Sequence, residues 1–360
     1  MVNNELVKRF KLENPQLIED LKNCEHYYQG QPNPYHLEGS VWNHIELCLE
    51  QSENDLEILF SLFHDIGKIE TKREENNKDG ISRLVFFGHP GLSVFKSINL
   101  ILKYYPYSKF SLIYLLIIIS WHDDLFSTLR NKQNVKDFLK RFKDVELLNF
   151  YLDCVNIDIL GRKTAENITQ EPIKKDDLIS QFVPFHSQND EGKEKSITLL
   201  IGPPGSGKST YIDKNKSIFE KNNQVVICRD DLIEKYGTGE NYTEKWKSCD
   251  QKQIDQEYQK IINNNLKLNK SIILDATNLS RKSRRRILNQ IPKSKEYEKK
   301  AIVFLTDYQI LLYNNKNRPG KNISEKIIKI MCTRFNFPGF DEFDQISVII
   351  NSISDLKYIL

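Results

Sequence analysis

The stretch SITLLIGPPGSGKST, residues 196–210, constrains the fold more than any other part of the chain. Gly202 to Ser209 carry the spacing G-x-x-x-x-G-K-[ST], which needs a buried strand before it and a helix after it. Gly205 and Gly207 let the backbone turn its N–H groups inward around phosphate oxygens. Lys208 brings a positive charge to the β and γ phosphates, and Ser209 can ligate Mg²⁺ at a helix N-terminus that favours anions. Gly202, Gly205, Ser206, Gly207, Lys208, Ser209 and Thr210 are therefore the candidate ligands of ATP, or another nucleoside triphosphate, with Mg²⁺. The plain alternative is a glycine-rich turn with no ligand.

The sequence around this loop follows the same architecture. SITLLIG, QVVICRDD, KSIILDATN, KKAIVFLTD and ISVII are short, apolar and rich in β-branched residues. They read as buried parallel strands, and the helical stretches between them imply βαβ units. Asp230 and Asp231 fall at the end of the second strand, where open α/β sheets place their ligands. A carboxylate there can accept the proton of an attacking hydroxyl, or the pair can simply cap a helix. Asp275 ends the third strand and can hold the Mg²⁺ shell. Arg281, Lys282, Arg284, Arg285 and Arg286 crowd one helix, with Arg281, Arg284 and Arg285 on a shared face. Such a face can grip a phosphodiester backbone or stand solvated. Arg318 sits on a turn marked by Pro319 and Gly320, where an arginine on a lid can stabilise the transferring phosphoryl group.

Together GPPGSGKST, RDD, DATNLSRKSRR and NRPG resemble the polynucleotide 5′-hydroxyl kinases over about 195–345. The resemblance implies that Asp230 is the general base. Lys208 and Ser209 would serve ATP and Mg²⁺, Arg318 would face the donor phosphates, and Thr277 and Asn278 would lie near the acceptor. A phage member of that family carries an arginine three residues after the base. Ile233 stands there in this chain, so either another basic residue takes over, Arg229 or the arginine cluster with Arg281 and Arg285, or the acceptor is bound differently.

The first half reads differently. SVWNHIELCLE, DLEILFSLFHDIG and the run ending in SWHDDL have apolar residues at helical spacing, and EENNKDGISRLVFFGHPG reads as a loop. Four of the seven histidines, His44, His64, His89 and His122, combine with Asp65 and Asp158 in a spaced set. Imidazole and carboxylate donors without thiolate suit one or two divalent transition metals: Mn, Fe, Co, Ni or Zn. Buried histidines are costly without partners. Asp65 can bridge two metals, with His89 and His122 completing the second shell, and Lys68 can reach an anionic substrate. His26, His36 and His186 carry no chemistry in this reading.

The order H…HD…H…H…D, with LFHDIGK, GHPG and IDILGR, resembles the HD-domain phosphohydrolases over about 30–165. By that resemblance His44, His64, Asp65 and Asp158 hold one metal, and Asp65, His89 and His122 the other. An HD module ahead of a polynucleotide kinase is similar to the bacterial HD-Pnk end-healing enzymes. That similarity implies RNA ends as substrate, with DNA ends also open. The kinase would add a 5′-phosphate, the HD module would remove 2′,3′-cyclic, 3′- or 2′-phosphates, and a polynucleotide ligase would act downstream. The rival readings are a nucleoside or nucleotide kinase fused to a nucleotide phosphohydrolase, and a nucleotide-gated regulator.

The expected organisation is therefore two-domain: an all-α HD module over 1–170, a polar linker over 171–195, and an α/β P-loop kinase with parallel sheet and helical lid over 196–360. A net charge of +3 gives no global pull toward nucleic acid or membrane, so any basic surface must be local. The six cysteines form no CxxC pair, which argues against disulfides and thiolate zinc and for a reducing cytoplasm. The longest apolar run, 110–121, is short for a bilayer crossing and suits a buried helix.

Overall fold

Side-chain caps start three of the helices of the first half. Ser40 accepts from Asn43 N–H, Asn54 from Leu56 and Glu57, and Asp144 from Leu147. Glu57 returns a carboxylate to the Glu53 N–H at 2.6 Å, so three backbone donors are satisfied by side chains at one helix start. The computed structural model describes residues 4–27, 31–76, 80, 82–105, 109–168, 171–184, 195–291, 297–352 and 356–359. The chain divides into two units, Met1–Pro184 and Phe185–Leu360.

The first unit contains α1 (Asn4–Glu13), α2 (Pro15–Asn23), α3 (Val41–Gln51), α4 (Asp55–Phe63) and the single turn α5 (Lys68–Thr71). Strands β1 (Arg73–Asn76) and β2 (Ser82–Val85) follow, then α6 (His89–Tyr104), α7 (Lys109–Trp121), α8 (Asp124–Arg130), α9 (Val135–Leu139), α10 (Val145–Leu160) and α11 (Lys175–Ile179). Helix α4 is buried along its length from Glu57, and α10 packs on both α3 and α4. The core comprises Ile45, Phe60, Phe63, Leu116, Ile117, Leu148 and Tyr151, none of them exposed. Burying each such side chain stabilises the unit by about 1.5–3 kcal/mol.

Two expectations are corrected here. The unit is not wholly helical, because β1 and β2 pair antiparallel where a loop was read. All four β1 side chains are exposed, so no apolar alternation marks the strand. The start of the expected linker also belongs to this unit. Asn156 and Ile173 exchange two hydrogen bonds, at 3.1 and 2.7 Å, and Lys175 pairs with Asp153 at 2.5 Å. The rest of that linker, 185–194, including His186, lies outside the described residues. The segment Ser111–Arg130 is longer than the apolar run suggested and passes for a membrane span by length and composition, yet 67% of its apolar window is buried inside the unit.

The second unit contains β3 (Lys195–Ile201), α12 (Lys208–Lys221), β4 (Gln224–Cys228), α13 (Arg229–Tyr236), α14 (Tyr242–Ser248), α15 (Gln251–Lys267) and β5 (Ser271–Asp275). It continues through α16 (Arg281–Leu288), β6 (Tyr297–Thr306), α17 (Tyr308–Lys316), α18 (Glu325–Cys332), β7 (Gln345–Asn351) and β8 (Leu356–Ile359). The sheet order is β4-β5-β3-β6-β7-β8, parallel except for β8 at the edge. Leu200, Phe219, Ile273 and Phe304 form a core between the sheet and α12. The chain leaves β3 toward β4 on one side and later builds β6 on the other. The C-terminal end of β3 is thus the point where strand order reverses, the usual ligand position in open α/β sheets.

Candidate functional site

The two units carry separate constellations. In the first, His64 caps the end of α4, and Asp65 follows in the turn before α5. Gly67 allows this turn to press onto α6, since a Cβ there would lie 2.5 Å from the His89 carbonyl oxygen. His44 comes from α3, His89 opens α6, His122 follows α7, and Asp158 lies in the last turn of α10. All six side chains are buried.

Their donor atoms form two groups around Asp65. Asp65 Oδ2 lies 3.7 Å from His44 Nε2 and 3.3 Å from His64 Nε2, and Asp158 Oδ1 is 3.0 Å from His44 Nε2. Asp65 Oδ1 lies 3.0 Å from His89 Nε2 and 3.8 Å from His122 Nε2. The histidines approach one another as well, at 3.3 Å for His44–His64 and 3.1 Å for His89–His122.

The opposite ring nitrogens settle the tautomers. Nδ1 of His44 faces the Gly161 carbonyl at 3.0 Å, and that of His64 faces Phe60 at 3.1 Å. Nδ1 of His89 faces Phe86 and that of His122 faces Ile119, both at 2.8 Å. A carbonyl oxygen only accepts, so each Nδ1 donates, and in the neutral imidazole each Nε2 turns its lone pair into the site. Metal-ligating histidines are oriented in this way. Burial also pushes the His122 imidazole down to about 4, which keeps Nε2 unprotonated.

Neither oxygen of buried Asp65 has a hydrogen-bond partner of acceptable geometry, although Lys68 Nζ lies 2.6 Å away. Such orphaned carboxylate oxygens fit divalent cations. His44, His64 and Asp158, with Cys48 nearby, can hold one ion, and Asp65, His89 and His122 a second. Burial acts to raise the Asp65 carboxyl, but His64 and Lys68 hold it well below the usual carboxylate range. Arg162, which the sequence reading left out, pairs with Asp158 one helical turn away. His26, His36 and Glu38 form another donor group beside His44.

In the second unit the loop 202–207 runs from β3 into α12. Gly205 (φ 81°) and Gly207 (φ 96°) take the left-handed conformation, and a Cβ on Gly205 would meet Asn315 Nδ2 at 2.3 Å. Asn315 donates to the Pro204 carbonyl at 2.8 Å, Asn314 to Gly205 at 2.9 Å, and Asn351 to Ser206 at 2.6 Å. These side chains draw the carbonyls outward. Across each trans peptide the N–H points the opposite way, so Gly205 and Gly207 present theirs to the hollow of the loop. Lys208 Nζ is folded into that hollow, donating to the Gly202 and Pro203 carbonyls at 2.6 and 2.9 Å. Burial, aided by Arg318 and Lys321, pushes its ammonium down to about 8. Ser209 and Thr210 are exposed beside the loop. The cradle thus fits a triphosphate.

Asp230 lies in the first turn of α13, with partners on α14 and in the segment after α17. Tyr242 Oη donates to its Oδ1 at 2.7 Å, and Lys321 pairs with its Oδ2. Burial acts to raise this carboxyl, but Lys321 and Tyr242 bring it below its usual value. Burial pushes Asp275 the other way, upward. Arg318 is half-buried in the same segment after α17. Tyr242 and Lys321 were not singled out in the sequence, since each is an isolated residue far from the motif.

Several expected acceptor ligands are occupied. Asn278 has φ 47° and is turned inward, its Nδ2 on the Leu200 carbonyl at 2.9 Å. Thr277 gives its carbonyl to Gly202 N–H at 3.0 Å. Arg229 is paired with Asp255 at 2.9 Å and with Gln251 at 3.0 Å. Arg281 and Arg285 both pair with Asp341. Arg284 does not share an open basic face. It is fully buried, bidentate on Glu342 at 3.0 and 2.8 Å, and it donates to three backbone carbonyls. Arg284→Ala strands buried Glu342 without its partner. The expected cost is about 3–5 kcal/mol of second-unit stability, read from chemical denaturation.

Residues 197–338 match the model of a family described as an AAA domain. No curated protein matches the chain. A chain of the Pnkp1/Rnl/Hen1 RNA repair complex is 23% identical over 41% of this chain and 46% of that one, with a TM-score of 0.32. A fungal RNA kinase is 21% identical over 45% and 77%, TM-score 0.31. A gluconokinase from Sinorhizobium meliloti is 14% identical over 45% and 85%, TM-score 0.31. The chain spans less than half the length of the repair-complex chain that it matches.

Proposed function

We propose that the chain heals broken RNA ends at two sites, one in each unit. One observation carries the reading: buried Asp65 directs one oxygen to His44 and His64 and the other to His89 and His122. Divalent ions held there supply Lewis-acid polarisation of a phosphoryl oxygen and lower the pKa of a water nucleophile. The protein fixes the four imidazoles through backbone carbonyls that accept from their Nδ1 atoms. Lys68, mostly buried and charged, neutralises part of Asp65 and offers its ammonium to an anionic 3′ end.

In the second unit the 5′-hydroxyl oxygen attacks the γ-phosphorus of ATP. The bond to the β-γ bridging oxygen breaks, ADP leaves, and the hydroxyl proton passes to Asp230. Gly205 and Gly207 N–H groups and Lys208 hold the donor phosphates, while Arg318 and Lys321 bring positive charge from the lid. Lys321 must release Asp230 as the acceptor arrives. The chemistry unites the halves, since a break that leaves a 2′,3′-cyclic phosphate and a 5′-OH needs both reactions before ligation.

The test is a short RNA carrying both ends, incubated with ATP, Mg²⁺ and Mn²⁺, with both termini mapped. The reading expects 5′ phosphorylation and 3′ dephosphorylation. A second reading, a nucleoside or nucleotide kinase joined to a phosphohydrolase, is favoured by buried Ile233 and by the pairing of Arg281 and Arg285 to Asp341. It gains if mononucleotides react and both RNA ends stay unchanged.

A further inference from the structure

We propose that His26, His36 and Glu38 form a third divalent-cation site in the first unit, distinct from the two groups that share Asp65. Glu38 Oε1 lies 2.7 Å from His36 Nδ1 and 3.7 Å from His26 Nδ1. The two rings are 4.1 Å apart between centroids, and one donor atom from each of the three residues lies within 4.8 Å of the other two. A borderline metal with bonds of about 2.0–2.2 Å needs donors roughly 3–3.5 Å apart. The observed 2.7 and 3.7 Å bracket that spacing, so small side-chain adjustments suffice.

His26 makes the case independently of the cluster. It is 2% exposed, and neither of its ring nitrogens has a hydrogen-bond partner. Leaving a buried polar group unsatisfied is costly, and native structures rarely do so without an ion or water to fill the gap. Its Nδ1 points toward Glu38 Oε1, into the space between the three side chains. Glu38 is itself fixed, because its other oxygen accepts the Lys163 N–H at 2.9 Å.

The backbone holds this arrangement. His26 N–H donates to Gly39 at 2.7 Å, His36 N–H to Asn33 at 2.9 Å, and Leu37 N–H to Lys163 at 2.7 Å. The loop from Asn33 to Ser40 is therefore tied both to the end of α2 and to the segment after α10. Two imidazoles and one carboxylate select a borderline divalent ion such as Zn²⁺, Co²⁺ or Mn²⁺ and leave one coordination position open. The His36 side chain is 16% exposed, so that position opens toward solvent on its side. Glu38 Oε1 also lies 3.7 Å from His44 Nδ1, which places the site one imidazole away from the Asp65 groups.

The test counts Co²⁺ bound per full-length chain by equilibrium dialysis and metal analysis. It compares the wild type with His36→Asn, which touches the most open member and should fold, and with Glu38→Gln. The expected result is one equivalent fewer in each variant. In an Asp65→Ala background at least one equivalent should remain, and adding His36→Asn should remove it. Equal counts in the presence and absence of His36 would overturn the proposal, whatever the end-healing assay shows. Conversely, loss of one equivalent with no reaction at either RNA end would leave this site standing and sink the functional reading.

Discussion

Asp65→Ala is expected to abolish the proposed removal of the 3′ phosphate while leaving the proposed 5′ phosphorylation intact. The expected loss is about 10³-fold or more. Disturbing groups that merely orient metal ligands costs roughly 10–100-fold, and Asp65 does more than orient. Both of its oxygens face histidine pairs, and the neighbouring Asp123, 3.6 Å from His89 Nε2 and 3.9 Å from His122 Nε2, reaches only the second pair. Asp158 reaches the first pair but is already held by Arg162. The measurement is the initial rate of 2′,3′-cyclic phosphate opening and of 3′-phosphate release on one RNA, with the 5′ end followed in the same tube. If both ends fail together, the variant has lost more than its site, and thermal unfolding separates that case. If the 3′ reaction persists at wild-type rate, hydrolysis does not run through this group.

Asp230→Asn acts on the other end. Removing a general base is expected to slow phosphoryl transfer by about 10²–10⁴-fold, with ATP affinity nearly unchanged, because Asp230 contacts the lid and not the phosphate loop. Lys208→Ala should lose the reaction and weaken ATP binding as well, since its ammonium lies inside the loop. The contrast decides the assignment. Rates come from single-turnover transfer of labelled phosphate to a 5′-OH RNA, and affinities from ATP titration. An Asp230→Asn chain that also fails to bind ATP would place Asp230 on the donor and leave the base unassigned.

The phosphate loop was legible in sequence because its residues are contiguous and each serves a backbone geometry that few sequences satisfy. The parallel strands around it were legible because both faces are covered, which leaves unbroken apolar runs such as Ala301–Leu305. The histidine set was visible as rare residues in the spaced order H…HD…H…H…D, three of them on apolar helices, and with Asp65 and Asp158 its members are brought together from five segments of the chain. Other features left no local trace. Asn315 and Asn351, which shape the loop, lie more than a hundred residues from it in sequence and resemble any surface amide. The arginines of α16 read as a basic face because Asp341 and Glu342, which neutralise them, follow some sixty residues later. His26 and His36 lie outside helical periodicity, so nothing in the spacing linked them to each other or to Glu38. Strand β1 was missed because all its side chains face solvent.

The carbonyls that orient the four imidazoles differ in one respect. Those of Phe60, Phe86 and Ile119 lie three or four residues before the histidine they hold, whereas Gly161 lies 117 residues after His44. Three ligands are thus aimed by the turn of chain that carries them, and their orientation is available early in folding. His44 is aimed only when the end of α10 docks against α3, a contact of large sequence separation and correspondingly high loop-closure entropy. Loading of the His44 group is therefore coupled to closure of the whole first unit, while the His89–His122 group needs only the middle of the chain. The order in which the two groups gain affinity during refolding is built into the distances along the polypeptide.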